Sequence, residues 1–392
     1  MKEDKIWNSV FTVLVIATTL CWVGIYMLIP AIPLYLTTLG AAESQVGIIA
    51  MTFFIASVTM RLLTNVLLTR FKKSQILAAG VLLNTIVVIL YAFAGTVGTT
   101  AVLRVMQGVG FGIITTITAT MAADSLPDSR RGEGLGYYSI SIVLAMAVGP
   151  AISLYMLDEF GFTPLFLAAA GFMLVAAILI AFFTNQPLYA PKMPEKRKGS
   201  IRLEDLFDRR LIIPAILLFL FGIIRSPDPS FISLFAVDRN IGHLSWYFII
   251  QAITMFGIRM AVGRVSDRKG RNWILIPGGL AMIATAVTLS LAHTTAMMLL
   301  GAVFSGIGVG LLSPGMLIWA FSCVTPEKRN VASAANYNFN DIGISIGSAS
   351  VGFLAENYGY GVMYQTIACF SLLFTIGYII IGRDKSKNPD TV

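Results

Sequence analysis

Along the chain, runs of about twenty apolar residues alternate with short polar stretches, the length a helix needs to cross the ~30 Å hydrocarbon core of a bilayer. Twelve such runs predict twelve spans: Val10 to Leu36, Val46 to Leu68, Ile76 to Ala94, Thr99 to Ala122, Gly134 to Leu157, Thr163 to Phe183, Leu211 to Val237, Leu244 to Val265, Trp273 to Ala292, Ala296 to Cys323, Val331 to Leu354 and Val362 to Ile381. The longest polar interruption, Asn185 to Arg210 (NQPLYAPKMPEKRKGSIRLEDLFDRR), carries three prolines and a charge run and divides the chain almost in half. The expected organisation is therefore a six-helix bundle over 1–184, a cytoplasmic linker over 185–210 and a second six-helix bundle over 211–392. Within the linker, Ser200 is placed to cap a short helix whose Ile201, Leu203, Leu206 and Phe207 form an apolar face along the membrane surface. A flexible tether is the competing reading.

The halves repeat. RLLTNVLLTR (Arg61 to Arg70) falls on RMAVGRVSDR (Arg259 to Arg268), QGVGFG (Gln107 to Gly112) on SGIGVG (Ser305 to Gly310) and DEFGF (Asp158 to Phe162) on ENYGY (Glu356 to Tyr360), each at a shift of 198 residues. PDSRR at Pro127 and PEKRN at Pro326 match at a shift of 199. Six spans repeated after a linker predict two parallel, pseudo-symmetric halves around an axis normal to the membrane, with the binding site between them.

Composition agrees with the pattern: the chain is 56% hydrophobic and 12% charged, with a mean hydropathy of +0.80. Soluble domains carry about 25% charged residues, so the fold class is an all-α integral membrane protein. The net charge of +8 is a topological signal. Of the 28 Lys and Arg, all but Arg61, Arg104, Arg225, Arg239 and Arg259 fall in the termini or in the loops predicted on one side of the membrane. By the positive-inside rule that side, with both termini, is cytoplasmic, and no nucleic-acid partner is implied. The opening MKEDKIWNSV is charged in both signs and no small-residue cleavage site follows the first apolar run, so it reads as a retained first span. Cys21, Cys323 and Cys369 sit in spans without metal-ligand spacing and read as small core residues; no metal or cofactor is expected.

Three stretches carry more specific information. In VLAMAVGPAISL (Val143 to Leu154), Ala145, Gly149 and Ser153 stand four apart on one helix stripe and Pro150 removes a backbone donor, which suits a close-packed, bendable seam. GRVSDRKGR (Gly263 to Arg271) joins spans eight and nine, and LRVMQGVG (Leu103 to Gly110) sets Arg104 inside span four, where an arginine costs on the order of 3 kcal/mol and needs partners. Together these motifs resemble the major facilitator superfamily, and within it the twelve-span drug:proton antiporters, over essentially the whole chain. GRVSDRKGR matches the family loop G-x-x-x-D-R-x-G-R at every fixed position: Gly263, Asp267, Arg268, Gly270 and Arg271, with Arg264 and the preceding Arg259 beside them.

The resemblance implies a cytoplasmic latch there, Gly263 permitting close helix contact and Asp267 and the arginines pairing with helix ends or charges. The first-half copy keeps Arg61 and Arg70 but departs at Asn65, Thr69 and Lys72, so the latch is expected in the second half, a loop anchor being the plainer reading. Gly149 and Pro150 match the antiporter signature of span five, whereas Leu154 departs from its last Gly; in the second half Gly343 and Gly347 keep the spacing and Ser348 replaces the proline. The same resemblance implies that Arg104 hydrogen-bonds to span one and takes part in proton coupling, with Gln107 one turn further on.

A proton-coupled carrier needs intramembrane groups that lose and regain charge. Only Asp228 and Asp341 qualify as intramembrane carboxylates, and both are in the second half. Asp228 stands in GIIRSPDPSFI, between Pro227 and Pro229 and three residues after Arg225; Asp341 follows Asn336, Asn338 and Asn340. Each is read as a proton-coupling group or as part of an ion pair fixing two helices. Trp22, Tyr26, Asn84, Gln107, Tyr137, Tyr138, Gln251, Asn336 and Asn340 are the polar and aromatic candidates to line a substrate cavity, while Trp246 and Tyr247 read as interfacial belt residues. Aromatic lining with few charges suits amphipathic or cationic organic molecules.

The expectation is a monomeric, multi-pass carrier of a bacterial plasma membrane that exports a small organic molecule in exchange for protons by alternating access. A transporter of a specific metabolite, sugar or metal chelator and a non-transporting receptor are the alternatives. Enzyme chemistry has no residues to work with, since His243 and His293 are isolated in opposite-side loops.

Overall fold

With no water in the bilayer core to pair peptide groups, each apolar run must close its own hydrogen bonds as a helix. A computed structural model describes residues 6–127, 130–184, 208–325 and 328–382, except the side chains of Asn65, Arg131, Phe183, Thr184, Arg264, Asp267 and Asn330, and every regular element among them is helical. Helices α1 (Ser9–Thr38), α2 (Glu43–Leu67), α3 (Lys73–Tyr91), α4 (Val97–Asp124), α5 (Arg131–Phe160) and α6 (Phe162–Thr184) carry the first six spans. After a 3-10 turn at Arg209–Leu211, span seven is broken into α7 (Ile212–Arg225), α8 (Pro227–Ser230) and α9 (Ile232–Asp238). Pro227 and Pro229 cannot donate to preceding carbonyls, which is why this span alone falls into three pieces.

Spans eight, nine and ten are α10 (Leu244–Lys269), α11 (Asn272–Ser290) and α12 (Thr295–Ser322). Spans eleven and twelve form one long element, α13 (Arg329–Gly377), broken at Gly359 (φ 81°, ψ 165°). The amphipathic stretch expected at Ile201 to Phe207 lies outside the described residues. The exposed position of Cys369 on α13 corrects its reading as a core residue; Cys21 is buried and Cys323 half-buried.

The described residues within Met1–Ala41 and Thr52–Gly199 form one compact unit, and those within Ala42–Met51 and Ser200–Val392 a second. The internal repeat is legible in the packing of each. The Thr96 hydroxyl caps α4 by accepting from the Thr99 N–H at 3.2 Å, and Thr294 does the same for α12 with Met297 at 3.4 Å. Gly108 of α4 lies against the Phe53 carbonyl and Gly306 of α12 against the Gln251 carbonyl, both pairs related by 198 residues. Gly161 (φ 80°) ends α5 where, 198 residues on, Gly359 breaks α13.

Lipid tails are as apolar as leucine, so helix association in a membrane depends on close packing rather than on water exclusion. In unit 1 that packing is the seam of α1 against α5: a methyl at Gly149 would stand 2.6 Å from Tyr26 Cβ and 2.9 Å from the Val23 carbonyl, and Ala145 and Ser153 are fully buried beside it. In unit 2 it is α7 against α13, with glycine on both sides. Gly222 faces the Asn340 carbonyl, Gly343 faces the Phe219 carbonyl, and a methyl at Gly347 would stand 2.6 Å from Ser226 Oγ. The N-terminal turns of α2 belong to unit 2: Gly47 abuts the Ser348 carbonyl, Ser345 Oγ donates to the Met51 carbonyl at 3.1 Å, and the Ser44 N–H donates to Glu356 at 3.0 Å.

Candidate functional site

The proline break in span seven sets Asp228 in the four-residue helix α8, and three neutral donors converge on it. Tyr247 and Gln251 stand one turn apart on α10, so both reach the same carboxylate: Tyr247 Oη donates to Oδ1 at 3.1 Å and Gln251 Nε2 to Oδ2 at 3.0 Å. Ser305 of α12 donates to Oδ2 at 3.3 Å while accepting from Gln251 at 2.7 Å. Among the described residues no basic nitrogen comes within 4.0 Å of this carboxylate. Arg225, three residues earlier, is its nearest interacting cation, yet its Nε is buried without a hydrogen-bond partner and its guanidinium lies 5.8 Å from the Phe221 ring centroid.

Unit 1 has a cation at the corresponding place. Arg104, 7% exposed on α4, donates from NH1 to Gln107 Oε1 at 2.7 Å, and its guanidinium lies 4.2 Å over the Phe53 ring. Tyr91 Oη donates to the same Gln107 oxygen at 2.9 Å. The expected bond from Arg104 to span one is replaced by these partners on α2, α3 and α4, because Gln107 one turn on offers an acceptor and Phe53 a ring face. An aromatic group continues from Phe53 through Phe111 (centroids 5.1 Å) to Trp22 (5.6 Å) and Tyr26 (5.6 Å). The Trp22 Nε1 donor inside it is buried without a partner.

Other expected site residues go elsewhere. Asn84 is fully buried on α3 against Gly110 of α4, so it packs a helix seam and does not line a cavity. Tyr138 is buried and bonded to Thr118 Oγ1 at 2.9 Å; Tyr137 is half-exposed with its ring 5.3 Å from that of Trp7, beside Arg130 and Glu133 near the predicted cytoplasmic end. Asp341 is buried and accepts from Asn340 Nδ2 at 3.3 Å, and the amide oxygens of Asn336 and Asn340 are enclosed without donors.

In the motif at the end of span eight, Gly263 lies within α10 and is exposed, with nothing near the place of a Cβ where a close contact was expected. Arg61 and Arg259 are half-buried, Arg70 and Arg268 exposed, and the side chains of Arg264 and Asp267 lie outside the described residues. Gly270 (φ 83°) ends α10. Arg271 donates to the Gly382 carbonyl at 2.9 Å and stands 5.0 Å over Trp319, so it ties α11 to the end of α13 within unit 2. At the start of span seven, Asp208 accepts from the Arg210 N–H at 3.0 Å and from Lys328 Nζ at 2.9 Å, and these bonds hold its carboxyl below the usual aspartate range.

Sequence reasoning missed Tyr247, Ser305 and Tyr91. Tyr247 was read as a belt residue but is fully buried; its signal was the one-turn spacing to Gln251. Ser305 was marked by its place opposite Gln107 in the repeat, whereas Tyr91 had no local signal.

The model of the Major Facilitator Superfamily matches residues 14–295 and 230–392. An uncharacterized MFS-type transporter of Methanocaldococcus jannaschii is 25% identical over 388 residues, covering 97% of this chain and 100% of that protein. The quinolone resistance protein NorA of Staphylococcus aureus is 22% identical over 97% of this chain and 98% of its own length, and the staphylopine export protein of the same species 22% identical over 91% and 92%. Among solved structures, the nucleoside transporter NupG superposes with a TM-score of 0.79 at 14% identity, over 96% of this chain and 100% of that one. Two repeated bundles of apolar helices and a family match over nearly the whole length give one conclusion: the chain belongs to the Major Facilitator Superfamily of membrane transporters.

Proposed function

We propose that the protein is a proton-coupled antiporter that exports a small amphipathic, drug-like organic molecule by alternating access, from a plasma membrane with both termini on the cytoplasmic side. The observation that carries this reading is the environment of Asp228. A carboxylate locked to a cation resists protonation because the proton would strand the buried partner. One whose hydrogen-bond donors are Tyr247, Gln251 and Ser305, with Arg225 near but outside ion-pair distance, can gain a proton while the groups bonded to it stay neutral. The proline-broken backbone around it supplies a segment able to change conformation with its charge. Each proton is worth about 2.3 kcal/mol per 100 mV, so one or two support a gradient of roughly tens- to thousands-fold.

The aromatic group from Trp22 to Phe53 offers ring faces to an apolar or cationic cargo, and the similarity to NorA points the same way. Asp341, Arg104 and Arg225 are the further coupling candidates. The test is ethidium transport into sealed vesicles driven by a pH gradient, with Asp228→Asn and Asp341→Asn made separately. Loss of gradient-driven transport in Asp228→Asn is expected, and full coupling retained in both variants overturns the reading.

A specific-metabolite or chelator exporter is the second reading. Arg104 favours it, since a buried guanidinium with no carboxylate beside it among the described residues suits an anionic group on the cargo, as does the similarity to the staphylopine export protein. Competition for ethidium transport by carboxylated compounds separates the two.

A further inference from the structure

The Tyr364 hydroxyl, in the span-twelve part of α13, is buried without a hydrogen-bond partner. A buried phenol normally finds one, so this hydroxyl is open to a polar partner. Its electrostatic neighbours are Asp228, Tyr247 and, one turn earlier on its own helix, Tyr360. The Phe235 ring packs against both phenols, 5.2 Å from that of Tyr364 and 6.0 Å from that of Tyr360, and so aligns them along one wall. Tyr360 in turn faces the Glu43 carboxylate, within reach of a side-chain hydrogen bond, and Asp238 is close by. Glu43 opens α2 in the turns that belong to the same compact unit, on the side opposite the basic loops.

We propose that Glu43, Tyr360 and Tyr364, with bridging water, form a proton route between that face of the protein and Asp228. The inference rests on the reading of Asp228 as the proton-carrying group. A proton from outer water first forms an O–H on the Glu43 carboxylate. That O–H then breaks as its proton bonds to the Tyr360 oxygen, while Tyr360 gives its own proton to a bridging water. The water releases one proton to the Tyr364 oxygen, and the original Tyr364 proton passes to a second bridging water, which gives one of its own protons to Asp228. Each phenol and water gains one proton and loses one; the net change is one proton moved from water to the aspartate.

The charged and titratable groups around the route are few. Arg225 and Tyr247 face Asp228; Glu43 and Asp238 face Tyr360; and Arg239 lies 5.8 Å from the Phe235 ring while hydrogen-bonded to His293 at the rim. Arg239 NH2 also lies 3.5 Å from the place of a Cβ at Gly361, the residue after Tyr360, so it is the cation beside the outer end of the route.

The test uses the full-length protein in sealed vesicles, measuring ethidium transport driven by a pH gradient and, separately, ethidium–ethidium exchange, which needs no net proton movement. Tyr364→Phe and Tyr360→Phe each remove one relay oxygen with the ring retained. Gradient-driven transport is expected to fall by about a hundredfold, the low end for a positioned proton-transfer group. Exchange is expected to persist and so to report that the protein is folded. Unchanged gradient-driven rates in both variants overturn the route, as does an equal loss of exchange, which makes the phenols structural. Asp228→Asn separates the two claims: coupling retained there overturns the reading of Asp228, whereas coupling lost there but kept in both tyrosine variants overturns the route alone.

Discussion

In unit 1, Phe53 and Gln107 surround the guanidinium of Arg104; 198 residues further on, Gln251 and Ser305 surround the carboxylate of Asp228. The backbone fit at the two places is the same, Gly108 and Gly306 each lying against the carbonyl of the residue that meets the charge. What differs is the sense of the hydrogen bonding. Gln107 turns its oxygen to a cation and Gln251 its nitrogen to an anion. A duplicated scaffold thus keeps its helix contacts, which depend on shape, while the polar side chains between the helices are free to invert charge.

The seams diverge too. Unit 1 places Pro150 in α5, beside Gly149, where unit 2 has Ser348; α1 runs unbroken through Pro30 and Pro33, whereas its counterpart, span seven, is broken at Pro227 and Pro229, where Asp228 sits.

The seam difference gives the largest expected effect. Gly343→Ala would drive a methyl into the Phe219 carbonyl and to 2.9 Å from Gly222 Cα, backbone that cannot move aside, and it should cost roughly 3 kcal/mol or more. Gly149→Ala meets the Tyr26 side chain first and should cost less, within about 1–3 kcal/mol. Thermal unfolding in detergent measures both, and equal losses would break the distinction between a glycine-to-glycine seam and a proline-hinged one.

Next come the two glutamines. Gln107→Leu removes the acceptor shared by the Arg104 N–H and the Tyr91 hydroxyl, leaving a buried charge short of a partner, at a cost of about 2 kcal/mol. Gln251→Leu removes one donor of three and should cost about 1 kcal/mol in stability. It should nonetheless lower gradient-driven transport more than Gln107→Leu does, because it leaves the carboxylate under-bonded. The reverse ranking in transport would move the coupling chemistry to unit 1.

The comparison also predicts an equality. Gly161 and Gly359 share a positive φ near 80° with extended ψ, a conformation open to glycine and strained for other residues, and neither has an atom near the place of a Cβ. Gly161→Ala and Gly359→Ala should therefore each cost about 1 kcal/mol, by strain alone. A clear difference between their unfolding midpoints would show that the turn chemistry of the repeat is not shared.

The spans, the proline break and the repeat were legible because each rests on local chain chemistry: run length, a missing N–H, and paired motifs. Side-chain pairing was legible only where the sequence spacing itself brought groups together, as with Arg104 and Gln107. Arg225 and Asp228 have similar spacing but do not pair, because Pro227 and Pro229 end the helical turn that would have stacked them. Asn84 read as a cavity residue because it is polar in an apolar run; its burial against Gly110 depends on how α3 meets α4, which no single span records. Tyr247 shows the opposite error, its end-of-span position masking a side chain turned inward.

The smallest effect is expected at the mouth of unit 2, where Asp208 accepts from the Arg210 N–H and from Lys328. These bonds hold its folded carboxyl below the usual value near 3.8, so the carboxylate contributes stability above that pH. The contribution fades as pH falls through the lower folded value. Asp208→Asn keeps an oxygen for the backbone bond but loses the charge that attracts Lys328. Its unfolding midpoint should sit slightly below that of the parent near neutral pH, and the two curves should converge on acidification below about pH 3.8. Lys73 with Asp124 is the nearest counterpart in unit 1, an ion pair at 2.6 Å with no backbone donor to hold the carboxylate. Asp124→Asn should therefore change the midpoint less than Asp208→Asn does, and a larger shift there would mean that the ion pair, rather than the cap on span seven, is the stabilising part of both.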